Sequence, residues 1–440
     1  MAPTLLDGPA DSGADLHRWA TDLFPICRSI TGDGVRATLA YLGDLLPHLT
    51  VHEVPSGTQA FDWQVPDEWN IRAAYVEDPD GRRVIDYASS TLHVVGYSEP
   101  VDTVVTRNEL ESRLHSLPEL PDAIPYVTSY YRRTWGFCLT QQQRDVLGPG
   151  PFRIVIDADL APGHLTYGEV VIPGSSTDEV LLSTYVCHPS MANNELSGPV
   201  VATALARWIA ALPERRLTYR ILFLPETIGS ITYLSRHLDH LKRHVRAGWV
   251  LTCIGDEGGY SYVPSRYGDT LADRVSDVVL QELDLDCHRY TFLERGSDER
   301  QYCSPGVDLP VASLMRSKHG KYPQYHSSLD DLAFVTPAGL QGGLDMMAHA
   351  IRIMECNRTW RVTGPCEPQL GRRGLYPTTS TPTSGRSVRN LMNVLAYLDG
   401  TNDAIDVARI CGLPVAEVAK FAGQLQQAGV IEEFDEIGRL

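Results

Sequence analysis

The sequence predicts an α/β fold, a mixed sheet flanked by helices, with a small β-rich domain inserted near its start and a winged helix-turn-helix at its end. Three observations carry this. Apolar runs of strand length alternate with longer helical stretches through the middle of the chain, the pattern of a largely parallel sheet covered on both faces. Residues 51–148 break into short β-like runs divided by Pro, Gly and Asp, as in a small β-rich module. Residues 386–440 read as three short helices around a turn, the outline of a winged helix.

In chain order, residues 13–46 alternate helical patches with a polar break, CRSITGDGVR, from Cys27 to Arg36. VHEVPSG, FDWQVPDEWNI, AAYVEDPDGRRVIDYAS and LHVVGYSEPVD then open the β-rich module, which runs to the Gly-Pro-Gly break at 148–150. Strands are expected at 179–186, 219–225, 248–255 and 309–315, each an apolar run of strand length. Helices are expected at 197–212, 228–245, 270–285 and 336–355. A Thr/Ser/Pro/Gly linker follows at 377–386, then helices at 387–398 and 403–410 and the stretch GLPVAEVAKFAGQLQQAGVI. The expected domains are 1–50 with 149–376, the insert 51–148, and the winged helix 386–440.

Bulk properties narrow the function. At 440 residues the chain exceeds one ordinary core. No apolar run approaches the roughly 20 residues that span a bilayer, and the start lacks a basic patch followed by an apolar block. Nine cysteines form no CxxC pair and read as reduced thiols. A net charge of −17 disfavours nucleic acid and acidic membranes as partners. Within 386–440, five Arg/Lys against eight Asp/Glu give 5 − 8 = −3, the wrong sign for a phosphate footprint. A soluble cytoplasmic enzyme, assembled as a homo-oligomer, is the expectation.

Five segments place a metal-binding residue where a strand should finish: LLSTYVCHPS with His188, ANNELSG with Asn194 and Glu195, RILFLPETIGS with Glu226, VLTCIGDEGG with Asp256, and YPQYHSSLDD with His326. Strand ends are where α/β folds gather active sites. Zinc in hydrolases takes His nitrogens and Asp/Glu oxygens and keeps one position open, and a second carboxylate takes a proton from water. Glu226 follows Pro225 and serves as ligand or base. Asn194 is a weak, neutral ligand and Glu195 a better one. The segment FLERGSDERQYCSPGVDLP packs Arg295, Asp298, Glu299 and Arg300 into six residues. Arg300 would hold a substrate carboxylate, with Asp298 and Glu299 recognising an amino group or acting as base. Tyr325, beside His326, is a further substrate contact.

The order His188, N-E-L-S-G, Glu226-x-x-Gly-Ser, G-D and H-S-S-L-D resembles the zinc exopeptidase superfamily of co-catalytic aminopeptidases. CRSITGDGVR, FDWQVPDEWNIR, IPYVTSYY, WGFC, CHPSMANNELSGP, PETIGS, GSDERQYCSPG and YPQYHSSLDDL resemble, more closely, a bacterial group of aminopeptidase-like proteins with an inserted β module and a C-terminal winged helix. The resemblance implies a zinc-exopeptidase (phosphorylase/hydrolase-like) fold. It implies that His188 and Asp256 hold one metal, and Glu226 and His326 another. The wider superfamily bridges its metals with an Asp where this chain has Asn194, and places a catalytic Glu where it has Pro225. One or two zinc ions are therefore expected. The resemblance also implies a place in polysaccharide or secondary-metabolite pathways, which fits a small dedicated substrate.

The first expectation is a zinc-dependent, aminopeptidase-like hydrolase of amide bonds, acting on a small amino-acyl or peptide substrate through Glu226, Glu195 or Glu299. A single-metal acyl transferase or cyclase on the same scaffold, and a catalytically altered binding protein, are the alternatives. Retained ligands argue against the last, because a dead site has no reason to keep a costly buried charge cluster.

Overall fold

The structure, a computed structural model, describes residues 8–375 and 382–434. Residues 377–381 of the linker expected at 377–386 lie outside the described residues, as do the chain's first seven and last six, while 382–386 open the helix Pro382–Ala396 rather than a linker. Two compact units form, Met1–Asp273 with Asp286–Met347, and Arg274–Leu285 with Ala348–Leu440. No helix among the described residues is long and apolar enough to cross a membrane.

The first unit is built on an eight-stranded sheet. Its centre is parallel: Thr218–Leu224, Glu179–Tyr185, Val245–Val250 and Val311–Met315 lie side by side. Every residue of Glu179–Tyr185 and Thr218–Leu224 is buried, so these strands read as continuous apolar runs without alternation. The two charges among them meet: the Arg220 guanidinium donates to both Glu179 oxygens at 2.7 and 2.9 Å. The margins are antiparallel, with His164–Ile172 against Thr218–Leu224, Thr50–Pro55 against His164–Ile172, and Tyr260–Val263 against Val311–Met315. The helix Ser197–Ala211 has twelve of its fifteen residues buried, as a helix sandwiched against a sheet requires.

The β-rich insert leaves and re-enters through neighbouring strands, since Pro55 pairs with His164 in the main sheet. Close entry and exit points let a module be inserted without disturbing its host. Its own sheet runs Arg83–Asp86, Glu68–Glu77, Phe152–Ala161, Val101–Val105. The strand Phe152–Ala161 follows the Gly-Pro-Gly break, yet pairs along the whole of Glu68–Glu77.

The second unit carries a three-stranded sheet of Thr359–Val362, Asp399–Asp403 and Ile431–Glu433 with helices Pro382–Ala396, Ala404–Cys411 and Val415–Gln427. Its first strand lies well upstream of residue 386. Asp403 caps Ala404–Cys411 by accepting from the Asp406 N–H, and Gly412, at φ 64, closes that helix in the left-handed conformation.

Candidate metal centre

The loops leaving the parallel strands build the site. After Thr218–Leu224 the chain turns at Glu226–Thr227–Ile228. Thr227 sits at φ 65, ψ −76, and the Ile228 N–H donates to the Glu226 carbonyl at 2.8 Å. This is a γ-turn with positive φ, a strained conformation that persists only when its surroundings hold it. Asp298 supplies the hold: one oxygen accepts from the Thr227 N–H and the Ser230 hydroxyl, each at 2.8 Å. The Cys187 sulfur accepts from the Glu226 N–H at 3.2 Å.

His188, just past Glu179–Tyr185, is clamped from one side. Its Nδ1 lies 2.8 Å from Glu195 Oε2. The fully buried Arg28 donates to the His188 carbonyl at 3.0 Å and the Leu23 carbonyl at 2.7 Å, and stands 3.4 Å from Glu195 Oε1. Glu195 itself comes from a π-turn, Ala192–Leu196, an irregularity frequent at functional sites. With Nδ1 taken, His188 turns Nε2 toward Glu226 Oε2, 3.6 Å away. Burial lowers the His188 pKa, but the Glu195 and Glu226 carboxylates outweigh it and raise it. Burial raises that of Glu226, against His188 and Arg300.

His326 completes the group. Its φ is 55, and its carbonyl accepts from the Tyr126 N–H of the insert at 2.9 Å. Tyr325 stacks on its ring at 3.9 Å. The Tyr126 ring packs 5.1 Å from that of His188 and 5.2 Å from that of His326. His326 Nε2 is buried without a hydrogen-bond partner among the described residues. Burial and the neighbouring His188 push its pKa down to about 3, leaving the ring neutral with a free lone pair. A cavity of about 340 Å³ is bounded by Tyr126, Cys187, His188, Glu226, Arg300 and His326, with Trp63 and Tyr131 also lining it.

The other candidates are placed differently. Asp256 is fully buried, and its two oxygens accept from Asn193 Nδ2, the Ser317 N–H and hydroxyl, and the Gly258 N–H. The structure brings His188 together with Glu226 and does not pair it with Asp256. Asn194 donates to the Tyr185 hydroxyl at 2.8 Å, and its Oδ1 is buried without a partner. Glu299 Oε1 accepts from the Gly296 and Ser297 N–H groups, while its Oε2 has none. Arg300 donates to Thr227 Oγ1 at 2.6 Å. Burial, then the charge of Glu226, pushes Asp298 up to about 7.

Sequence reasoning passed over Arg28, Tyr126, Cys187 and His319. His319 is buried, its Nε2 has no partner, and burial pushes it down to about 4. The only signals for Arg28 and Tyr126 were the motifs CRSITGDGVR and IPYVTSYY, which lie far from the strand ends in sequence. Cys187, His188 and Glu195 do bring potential ligand atoms within 4.8 Å of one another. Glu195 is already bonded to His188 Nδ1, however, so the donors left along the cavity are those of His188, Glu226 and His326, which do not form a second such 4.8 Å group among the described residues. Two imidazoles and one carboxylate around a cavity suit an open zinc site, and the unpartnered His326 Nε2 is the atom such an ion would satisfy.

Residues 17–357 match the family described as a domain of unknown function, DUF4910, and residues 358–433 match a winged helix-turn-helix family. A Clostridium acetobutylicum protein, named as a candidate polysaccharide biosynthesis protein with an aminopeptidase-like domain, is 42% identical over 429 residues, covering 97% of this chain and 98% of its own length. A crystal structure of a candidate peptidase from Clostridium acetobutylicum superposes with TM-score 0.89 at 42% identity, covering 96% of each chain. Two more distant structures show the fold alone. A peptidase M28 precursor from Shewanella amazonensis has TM-score 0.56 at 13% identity, over 81% of this chain and 94% of its own. BSAP, a zinc aminopeptidase from Bacillus subtilis, has TM-score 0.55 at 12%, over 77% and 94%. The chain therefore belongs to the DUF4910 family, aminopeptidase-like proteins that join the zinc aminopeptidase fold to a C-terminal winged helix.

Proposed function

We propose that the chain is a zinc-dependent hydrolase of amide bonds, aminopeptidase-like, acting on small amino-acyl or peptide substrates. One observation carries the reading: His188, Glu226 and His326 line one cavity, where His188 Nε2 lies 3.6 Å from Glu226 Oε2 and His326 Nε2 is buried without a partner. Zinc held there would supply Lewis acidity toward a carbonyl oxygen and an acidified water. Glu195 acts through His188, fixing its tautomer as carboxylates behind metal-binding histidines do, and Arg28 stands 3.4 Å behind that carboxylate. Asp298 holds the turn that carries Glu226 by accepting from the Thr227 N–H and the Ser230 hydroxyl. Arg300 faces the cavity, placed to take a substrate carboxylate. Tyr126 closes the site from the insert, limiting it to small substrates.

A donor set of two histidines and one carboxylate, with Asp256 engaged elsewhere, is that of one metal ion per chain, which also fits acyl transfer to an amine. The test is metal content per chain together with turnover of amino-acyl p-nitroanilides. One zinc per chain, activity lost on chelation and restored by zinc, is expected. Hydrolysis persisting in metal-free protein overturns the reading, and products formed only with added amines redirect it to acyl transfer. In this reading the protein works in the cytoplasm without nucleic acid or membrane as partner, and its acidic winged helix serves contact between copies.

A further inference from the structure

A second cavity, of about 430 Å³, opens beside the site, and both of its long walls run straight out of the first. The helix Ile228–His244 begins two residues after Glu226, and Ile231, Leu234 and Leu238, on one face of it, form one wall. The chain that carries Arg300 continues into Gln301, Pro305 and Val307, which form the other. Trp63 lines both cavities. It stands on the tight hairpin Gln59–Gln64 of the insert, where Phe61 is held at φ 52. Phe61 and Trp63, both lining the cavity, remain 54% and 40% exposed. Asp62 is the single charged residue among those lining it, so no cation is present to receive a phosphate or carboxylate.

We propose that this cavity is a subsite for an apolar group of the substrate, an unbranched acyl or alkyl chain or an aromatic ring, whose amide end reaches the Glu226 cavity past Trp63. This rests on the hydrolase reading, and it names the substrate class as amino-acyl compounds with an apolar tail. The volume lies within the range of small-molecule sites.

The test uses the full-length protein and the neutral fluorescent probe N-phenyl-1-naphthylamine, displaced by n-alkylamines from butyl to decyl. Displacement is expected to strengthen about fourfold per added methylene, then level off once the cavity is filled. Trp63→Ser and Phe61→Ser, both at exposed positions, are expected to weaken probe binding at least tenfold. Ser304→Trp, which fills the cavity, is expected to abolish the chain-length trend while leaving turnover of glycine p-nitroanilide unchanged. A flat series, or probe binding indifferent to Trp63→Ser, overturns the subsite. So does a flat series accompanied by a fall in sedimentation mass for Trp63→Ser, which makes the face a contact between copies. A rising series in protein that hydrolyses nothing upholds the subsite and removes the hydrolase reading instead.

Discussion

Arg28→Met should be among the most damaging single changes in the chain. Arg28 is fully buried, ion-paired to Glu195 and bonded to the carbonyls of Leu23 and His188. Methionine fills most of the space and removes the charge. Leaving one member of a buried pair uncompensated costs roughly 3–5 kcal/mol, and each stranded carbonyl adds about 1 kcal/mol. A loss of roughly 5 kcal/mol is a large share of the 5–15 kcal/mol that typically holds a domain, and corresponds to a fall in Tm of roughly 10 °C. The double variant Arg28→Met with Glu195→Gln removes both charges together. Its destabilisation should therefore fall short of the sum of the two single variants by roughly 3 kcal/mol. Urea unfolding followed by tryptophan fluorescence, on the transition of the site-bearing unit, gives all three values. Additivity within about 0.5 kcal/mol would refute the argument that the Arg28–Glu195 pair anchors His188.

Three more outcomes are expected. His326→Ala should lower zinc affinity more than about 100-fold, beyond the usual loss for a residue behind the ligands, with little change in stability; titration calorimetry reads it, and unchanged affinity removes His326 from the donor set. Gly198→Ala places a Cβ 2.1 Å from the Leu251 carbonyl oxygen and 2.4 Å from Thr184 Oγ1, so it should destabilise by roughly 2 kcal/mol or more; a neutral urea midpoint would contradict that close approach. Burial opposes the Glu68 charge, yet Arg36, the His164 N–H and Asn70 hold its pKa at about 2. A carboxylate depressed on folding adds stability above its unfolded pKa and loses it as pH falls through the folded value. That contribution should fade from about pH 4.5 to 2, and exposure of the partner limits it to about 1 kcal/mol. Glu68→Gln should narrow the gap between urea midpoints at pH 6 and pH 3, and an unaltered gap would count against it.

The parallel core of the fold was legible because its causes are local. Strands buried on both faces must be apolar throughout, so Glu179–Tyr185 and Thr218–Leu224 stand out in the sequence within a residue of their observed ends. The short margins were not legible. Tyr260–Val263 and Cys287–Arg289 are too brief for a periodicity, and Thr50–Pro55 joins the main sheet through pairing with residues more than a hundred positions away. The same division runs through the site. Residue types at strand ends pointed to His188, Glu226 and His326, because a sheet delivers its loops to one edge whatever their sequence. Which donors face one another was decided by side-chain contacts across the fold. Asn193 and Ser317 occupy the Asp256 carboxylate, and Arg28, 160 residues from His188, steers Glu195. Tyr126 of the insert fixes the backbone of His326. Composition and pattern thus determined the layers and the chemistry on offer. Only tertiary packing decided which of the buried polar atoms found a partner and which, such as His326 Nε2, did not.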